Sequence, residues 1–254
     1  MATLQRYFIQ LSYNCTNYHG WQVQKNAVSV QEILNDKLSI ILRQPIETTG
    51  CGRTDTGVHA KDFFAHFDAG EESMVHGPWS MEKKESLLRS INAVLPVDIA
   101  VKDLFPAAAD ANARFDAKLR TYEYHIHFNK DPFKNGYSWE LRDRPDLEPM
   151  NKAAQLMMAY TDFSCFSKSN TQVKTNNCKI TYARWEETES GIVFRISADR
   201  FLRNMVRAIV GTLIMVGRKE IEPEAVKQII ESKNRSKAGT SVPACGLYLT
   251  EVKY

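Results

Sequence analysis

Apolar and polar residues change places along the chain with two different periods. RYFIQLSY, Arg6–Tyr13, alternates almost residue by residue, which predicts a strand. In SVQEILNDKLSIILR, Ile33, Leu34, Leu38, Ile41 and Leu42 recur every three or four positions, which predicts a helix. Ser29 and Glu32 form a capping box at its start. Strands are expected around Ile46–Thr49 and in FFAHFD, Phe63–Asp68. Ser80 opens a second helix that Pro96 ends, and VDIAVKDLF reads as a strand. The order then recurs. LRTYEYHIHF predicts a strand, and PMNKAAQLMMAY a helix begun by Pro149. CKITYARWEE and GIVFRISA pair across a Thr-Glu-Ser-Gly turn. RFLRNMVRAIVGTLIMVG predicts a strong helix, with Asp199 as N-cap and Gly217 as stop. PEAVKQIIE is a short helix and GLYLTEV a last strand. Tyr160–Asn177, polar and rich in Ser, Thr and Asn, reads as a loop. Strands and helices mixed in this order predict an α+β fold with helices on one face of a sheet.

Composition narrows the class. The 254 residues, 43% hydrophobic and 25% charged, are ordinary for a globular chain and long enough for one large domain or two. No apolar run approaches the roughly 20 residues that a membrane span needs. The opening MATLQRYFIQ lacks a signal peptide's apolar stretch, so a cytoplasmic protein is expected. The five cysteines, Cys15, Cys51, Cys165, Cys178 and Cys245, are scattered without a CxxC, which suggests neither zinc nor a disulfide framework. Residues 1–110 hold 10 Lys and Arg against 13 Asp and Glu, a net −3. Residues 111–254 hold 23 against 17, a net +6. A positive C-terminal half is compatible with a polyanion, although charge alone favours a solvated surface.

The stretch GRTDTGVHA, Gly52–Ala60, carries the candidate chemistry. Asp-Thr-Gly is also the loop of an aspartic protease, where two carboxylates share one proton. No second Asp-(Thr/Ser)-Gly occurs here, and Arg53 two residues away favours an ionised Asp55. The simple alternative is an Asx turn with Gly57 at positive φ. Arg53, Thr54 and His59 add more polar groups than a turn requires, which points to a site. Elsewhere Arg203 and Arg207, with Arg200 before them, would share one face of the late helix. Tyr122 and Tyr124 would share one face of a strand. His19-Gly20-Trp21 sits in a turn after the first strand.

GRTDTGVHA resembles the signature loop of the tRNA pseudouridine synthases of the A family. YNCTNYHGWQVQ resembles that family's opening strand and turn, with Asn14-Cys15 where Asp-Gly is usual. SVQEIL, INAVLPVDIAV, ARFDAKLRTYEYHI, FLRNMVRAIVG and GLYL resemble further segments in the same order along nearly the whole chain. The resemblance implies two ferredoxin-like halves, 1–108 and 109–254, sharing an extended antiparallel sheet with the active site in a cleft. It implies isomerisation of uridine to pseudouridine without a cofactor or metal, in the anticodon stem-loop of tRNA, around positions 38 to 40. It implies a homodimer that binds tRNA rather than DNA or membrane.

By the same resemblance Asp55 is the catalytic carboxylate and Arg207 its ion-pair partner. Tyr122 stacks on the target base with its hydroxyl near C5. Arg53 fills the space that the flipped uridine leaves. Arg203 stands where the family varies and is assigned at most to RNA phosphate. Gly246 and Leu247 line the base pocket, where Pro243-Ala244-Cys245 replaces a Pro-Glu type lead-in. His59 either touches RNA or satisfies its own loop. Trp21 either closes a small hydrophobic cluster or belongs to a loop that grips RNA. Two rival functions are a non-catalytic RNA-binding or RNA-folding module, which has no need of Asp55 and Arg207, and a carboxylate glycosidase or nucleoside hydrolase. The second needs another acid or a metal-binding aspartate cluster, and only Asp62 stands near Asp55 in sequence.

Overall fold

The computed structural model describes residues 4–70, 79–168 and 175–254. The chain divides into two compact units, Met1–Ala117 together with Tyr254, and Lys118–Lys253.

The first unit runs β1 (Leu4–Tyr13), α1 (Val30–Leu42), β2 (Thr49–Gly50), β3 (His59–Gly70), α2 (Met81–Val94) and β4 (Ile99–Ala107). β1 lies between β4 and β3, antiparallel to both, and β2 pairs with β3. Alternation along β1 and β3 puts Ile9, Leu11, Phe63, Ala65 and Phe67 out of solvent. α1 buries Val30, Leu34, Leu38 and Leu42, the stripe its spacing predicts. Its capping box forms as expected: Ser29 Oγ accepts the Glu32 N–H at 3.2 Å, and Glu32 Oε2 accepts the Ser29 N–H at 3.3 Å. Ser80 caps α2 from one side only, its Oγ accepting the Lys83 N–H at 3.3 Å. The opposite strand face carries a second aromatic group, Phe8, Phe64, Phe105 and Tyr254. The Tyr254 hydroxyl closes this group by donating to the Ala113 carbonyl at 2.8 Å.

The second unit runs β5 (Leu119–His127), β6 (Trp139–Glu140), α3 (Leu147–Met157), β7 (Ile180–Thr188), β8 (Gly191–Ala198), α4 (Met205–Gly217), α5 (Ala225–Glu231) and β9 (Leu247–Lys253). Its strands are ordered β9-β5-β8-β7 with antiparallel neighbours, and β6 pairs with β5 in parallel. The fold is therefore α+β, with mixed strand pairing. α4 is buried nearly all round, Arg207 and Met215 being its only partly open positions.

Four expectations change. The strand expected at Ile46–Thr49 shrinks to Thr49–Gly50, because Gln31 Nε2 takes the Thr48 carbonyl and Asn35 takes the Thr48 N–H. α3 starts at Leu147 rather than Pro149, with Asp146 as its cap. α4 starts at Met205 rather than near Arg200. Asn204 stands at φ 65, which no α-helix accepts. The Asp199 carboxylate accepts N–H groups of Lys179 and Arg200 and so is no cap. Arg200 and Arg203 therefore precede the helix and share no helical face with Arg207. The loop of 160–177 contains a 3-10 turn, Ser164–Phe166, and an Asp162–Asn177 bridge; its residues 169–174 lie outside the described residues.

Candidate functional site

The segment from Cys51 to Val58 joins β2 to β3 and carries Asp55. The Cys51 N–H donates to the Phe64 carbonyl at 2.7 Å, and the Val58 N–H donates to the Asp55 carbonyl at 3.0 Å. Gly57 takes φ 75, as a turn at this point requires. Thr54 is held on two sides. Its hydroxyl bonds the Tyr13 hydroxyl at 2.9 Å, and its carbonyl accepts the Trp21 N–H at 3.3 Å. Gly20, at φ 87, lies so close that a Cβ there would stand 2.4 Å from the Thr54 oxygen. Thr54 is buried, Asp55 is half-buried, and Arg53 and Thr56 are exposed. The backbone is thus fixed while the carboxylate stays within reach of solvent.

Trp21 stands beneath this loop. It is 1% exposed, 4.2 Å from the Phe63 ring and 6.2 Å from that of Tyr13. A Cβ on Gly50 would meet its indole nitrogen at 2.5 Å. The His-Gly-Trp turn therefore closes a hydrophobic cluster that supports the loop. His59 is buried, and its Nδ1 accepts the Cys15 N–H at 3.1 Å.

The second unit holds the remaining candidates. Tyr122, half-buried on β5, meets Phe201 edge to face, with ring centroids 5.1 Å apart and planes at 87°. Tyr124, two residues on, is fully buried and donates its hydroxyl to the Pro243 carbonyl at 2.8 Å. Burial pushes its pKa well above the usual tyrosine range, with Arg207 pulling weakly the other way.

Arg207, half-buried in the first turn of α4, donates its Nε–H to the Val242 carbonyl at 2.7 Å. The Val242 N–H returns a bond to the Arg207 carbonyl at 3.3 Å. Cys245 is half-buried, and burial raises its thiol pKa against the opposing charge of Arg207. Gly246 packs against Tyr124, where a Cβ would come within 2.9 Å of the ring and 2.7 Å of the His125 carbonyl. Leu247 is buried opposite Tyr124. Arg203 is exposed in the turn ahead of α4, its carbonyl accepting the Lys168 N–H at 3.2 Å.

Arg207, Tyr124, Cys245 and Gly246 thus gather around one turn, and Tyr122 with Phe201 forms a second group. Sequence reading missed Phe201, Val242 and the Asn204 cap. Only the unusual Asn before a long apolar run hinted at the last. Among the described residues no group of three or more His, Cys, Asp or Glu stands together as a metal site, and no helix is long and apolar enough to cross a membrane.

Residues 153–254 match the family model described as tRNA pseudouridine synthase. Nearly the whole chain also aligns with curated relatives. It is 47% identical over 251 residues to the tRNA pseudouridine synthase A of Parabacteroides distasonis, covering 99% of this chain and 96% of the relative. It is 48% identical over 253 residues to that of Bacteroides fragilis, covering 99% and 97%. It is 38% identical over 248 residues to that of Clostridium acetobutylicum, covering 97% and 98%.

Proposed function

The chain belongs to the tRNA pseudouridine synthase A family, and from that premise we propose where on tRNA it acts and which residues do the work. It is an isomerase that converts uridine to pseudouridine in tRNA. The proposed substrates are uridines of the anticodon stem-loop, around positions 38 to 40, reached by recognition of RNA shape and backbone. The reaction detaches uracil from its ribose, turns it, and reattaches it through carbon. Atoms and charge balance within the nucleotide: the N1–C1′ bond breaks and a C5–C1′ bond forms, the C5 proton leaves, and N1 gains a proton.

Asp55 is the carboxylate that attacks the nucleotide or supports its rearrangement, which requires it ionised. Arg207 is the cation that favours that state. Its Nε is spent on Val242, which fixes the plane of the guanidinium. Tyr122 stacks on the base and takes the C5 proton through its hydroxyl. Arg53, exposed beside Asp55, occupies the space left in the stem. Arg203 offers an exposed cation to phosphate, and Gly246 with Leu247 lines the base pocket. The protein works as a homodimer.

The observation that supports this reading most is the Asp55 loop itself. Three contacts pin the residue before the aspartate, and none of them uses its carboxylate. A turn kept only for chain reversal needs no such scaffold. The test is tritium release from tRNA labelled at uridine C5. Asp55→Asn keeps the shape and removes the charge, so turnover should vanish while tRNA binding persists. A substantial rate in the Asn variant overturns the assignment. A transcript without uridine in the anticodon arm should release no tritium, and release from it would overturn the proposed region.

A further inference from the structure

One side chain that the reaction does not use stands behind the Asp55 turn. His59 opens β3 four residues after Asp55 and is only 2% exposed. Its Nδ1 accepts the main-chain N–H of Cys15 at 3.1 Å. A ring nitrogen that accepts carries no proton, so the imidazole there is neutral with its proton on Nε2. Cys15 is itself completely buried. Its thiol donates to the Tyr18 carbonyl at 3.5 Å, and its carbonyl accepts the Tyr18 N–H at 3.1 Å. Gly20, two residues beyond Tyr18, abuts the Thr54 carbonyl.

Asp55 is therefore bracketed. Thr54 is fixed by Tyr13, Trp21 and Gly20 on one side, and His59 is tied to the Cys15 main chain on the other. We propose that His59 is a positioning residue for Asp55. Its bond to the Cys15 N–H anchors the C-terminal end of the turn so that the carboxylate is presented in one orientation, and the ring does not touch RNA. This rests on Asp55 being the catalytic carboxylate. It also decides between the two roles that sequence leaves open for His59, since so buried a ring has no surface to offer a phosphate.

The expected effect is kinetic. A misplacement of about 1 Å in a reacting group costs on the order of 10²-fold in rate. Single-turnover tritium release, tRNA affinity and melting temperature are to be measured on Asp55→Asn, His59→Asn and His59→Gln. The Asn side chain places an oxygen near Nδ1 and can accept the Cys15 N–H. The Gln amide reaches toward Nε2 and leaves that donor without its acceptor. His59→Asn should keep most of the rate, and His59→Gln should lose roughly 10–10²-fold, both with unchanged tRNA affinity. Unchanged rates in both His59 variants, equal losses in both, or weakened tRNA binding would each overturn the inference. An active Asp55→Asn protein would instead overturn the catalytic reading beneath it.

Discussion

At Gly20 a single added methyl group would meet the Thr54 oxygen at 2.4 Å, on a backbone at φ 87. A side chain forced into this region costs about 1–3 kcal/mol before any clash is counted. Gly20→Ala should therefore lower both melting temperature and turnover, although residue 20 touches no substrate. Normal activity in a fully folded Gly20→Ala protein would show that the Asp55 loop tolerates displacement. Tyr122 offers a cleaner separation. Tyr122→Phe keeps the ring for stacking and for its edge contact with Phe201. It should bind tRNA normally and lose about 10²–10⁴ in rate, the usual worth of a general acid–base group. Equal single-turnover rates for the Phe variant and the native protein would remove the hydroxyl from the proton path. The Asp55 stretch was legible because its polar residues are neighbours in sequence. Its supports were not: Tyr13 meets Thr54 across 41 positions, and Cys15 meets His59 across 44. No local period links residues so far apart.

α4 shows the same division one level up. Its apolar run from Met205 to Gly217 announces a buried helix, and Gly217 ends it as expected. Its start was misread because Arg200–Asn204 has helix-compatible propensities, and nothing local shows Asp199 already engaged with Lys179 and Arg200. The seam between α4 and the 238–243 loop was equally invisible. A Cβ on Gly211 would lie 1.9 Å from the Thr240 oxygen, and one on Gly239 would lie 2.6 Å from Gly211. The Gly239 N–H donates to Thr212 Oγ1 at 2.9 Å across this contact. The same loop supplies the carbonyls that hold Arg207 and Tyr124. Gly211→Ala should push the loop away and release both. Overpacking of this kind typically costs about 1–3 kcal/mol, so melting temperature and kcat should fall together. A lower melting temperature with an unchanged kcat would mean that the loop does not set Arg207.

Across the whole molecule the charge is uneven. Lys118–Lys253 holds 22 Lys and Arg against 16 Asp and Glu, net +6, and the other unit is net −3. Affinity for tRNA should therefore fall with salt, by a slope of roughly 0.7–0.9 in log K per neutralised phosphate. A flat response in filter binding would argue against phosphate contacts by the basic unit. The cysteines are distributed unevenly too. Cys15, Cys51, Cys165 and Cys178 are buried, and burial pushes the thiols of Cys165 and Cys178 up to about 12. Cys245 alone is half-open, although burial outweighs Arg207 and holds its thiol pKa above the usual range. The native protein consequently offers one thiol to a maleimide dye, at the wall proposed to receive the base, with no engineering needed. Labelling should stop near one equivalent until the protein is denatured, and bound tRNA should slow it. A dye at that position would make each arrival of substrate visible in real time.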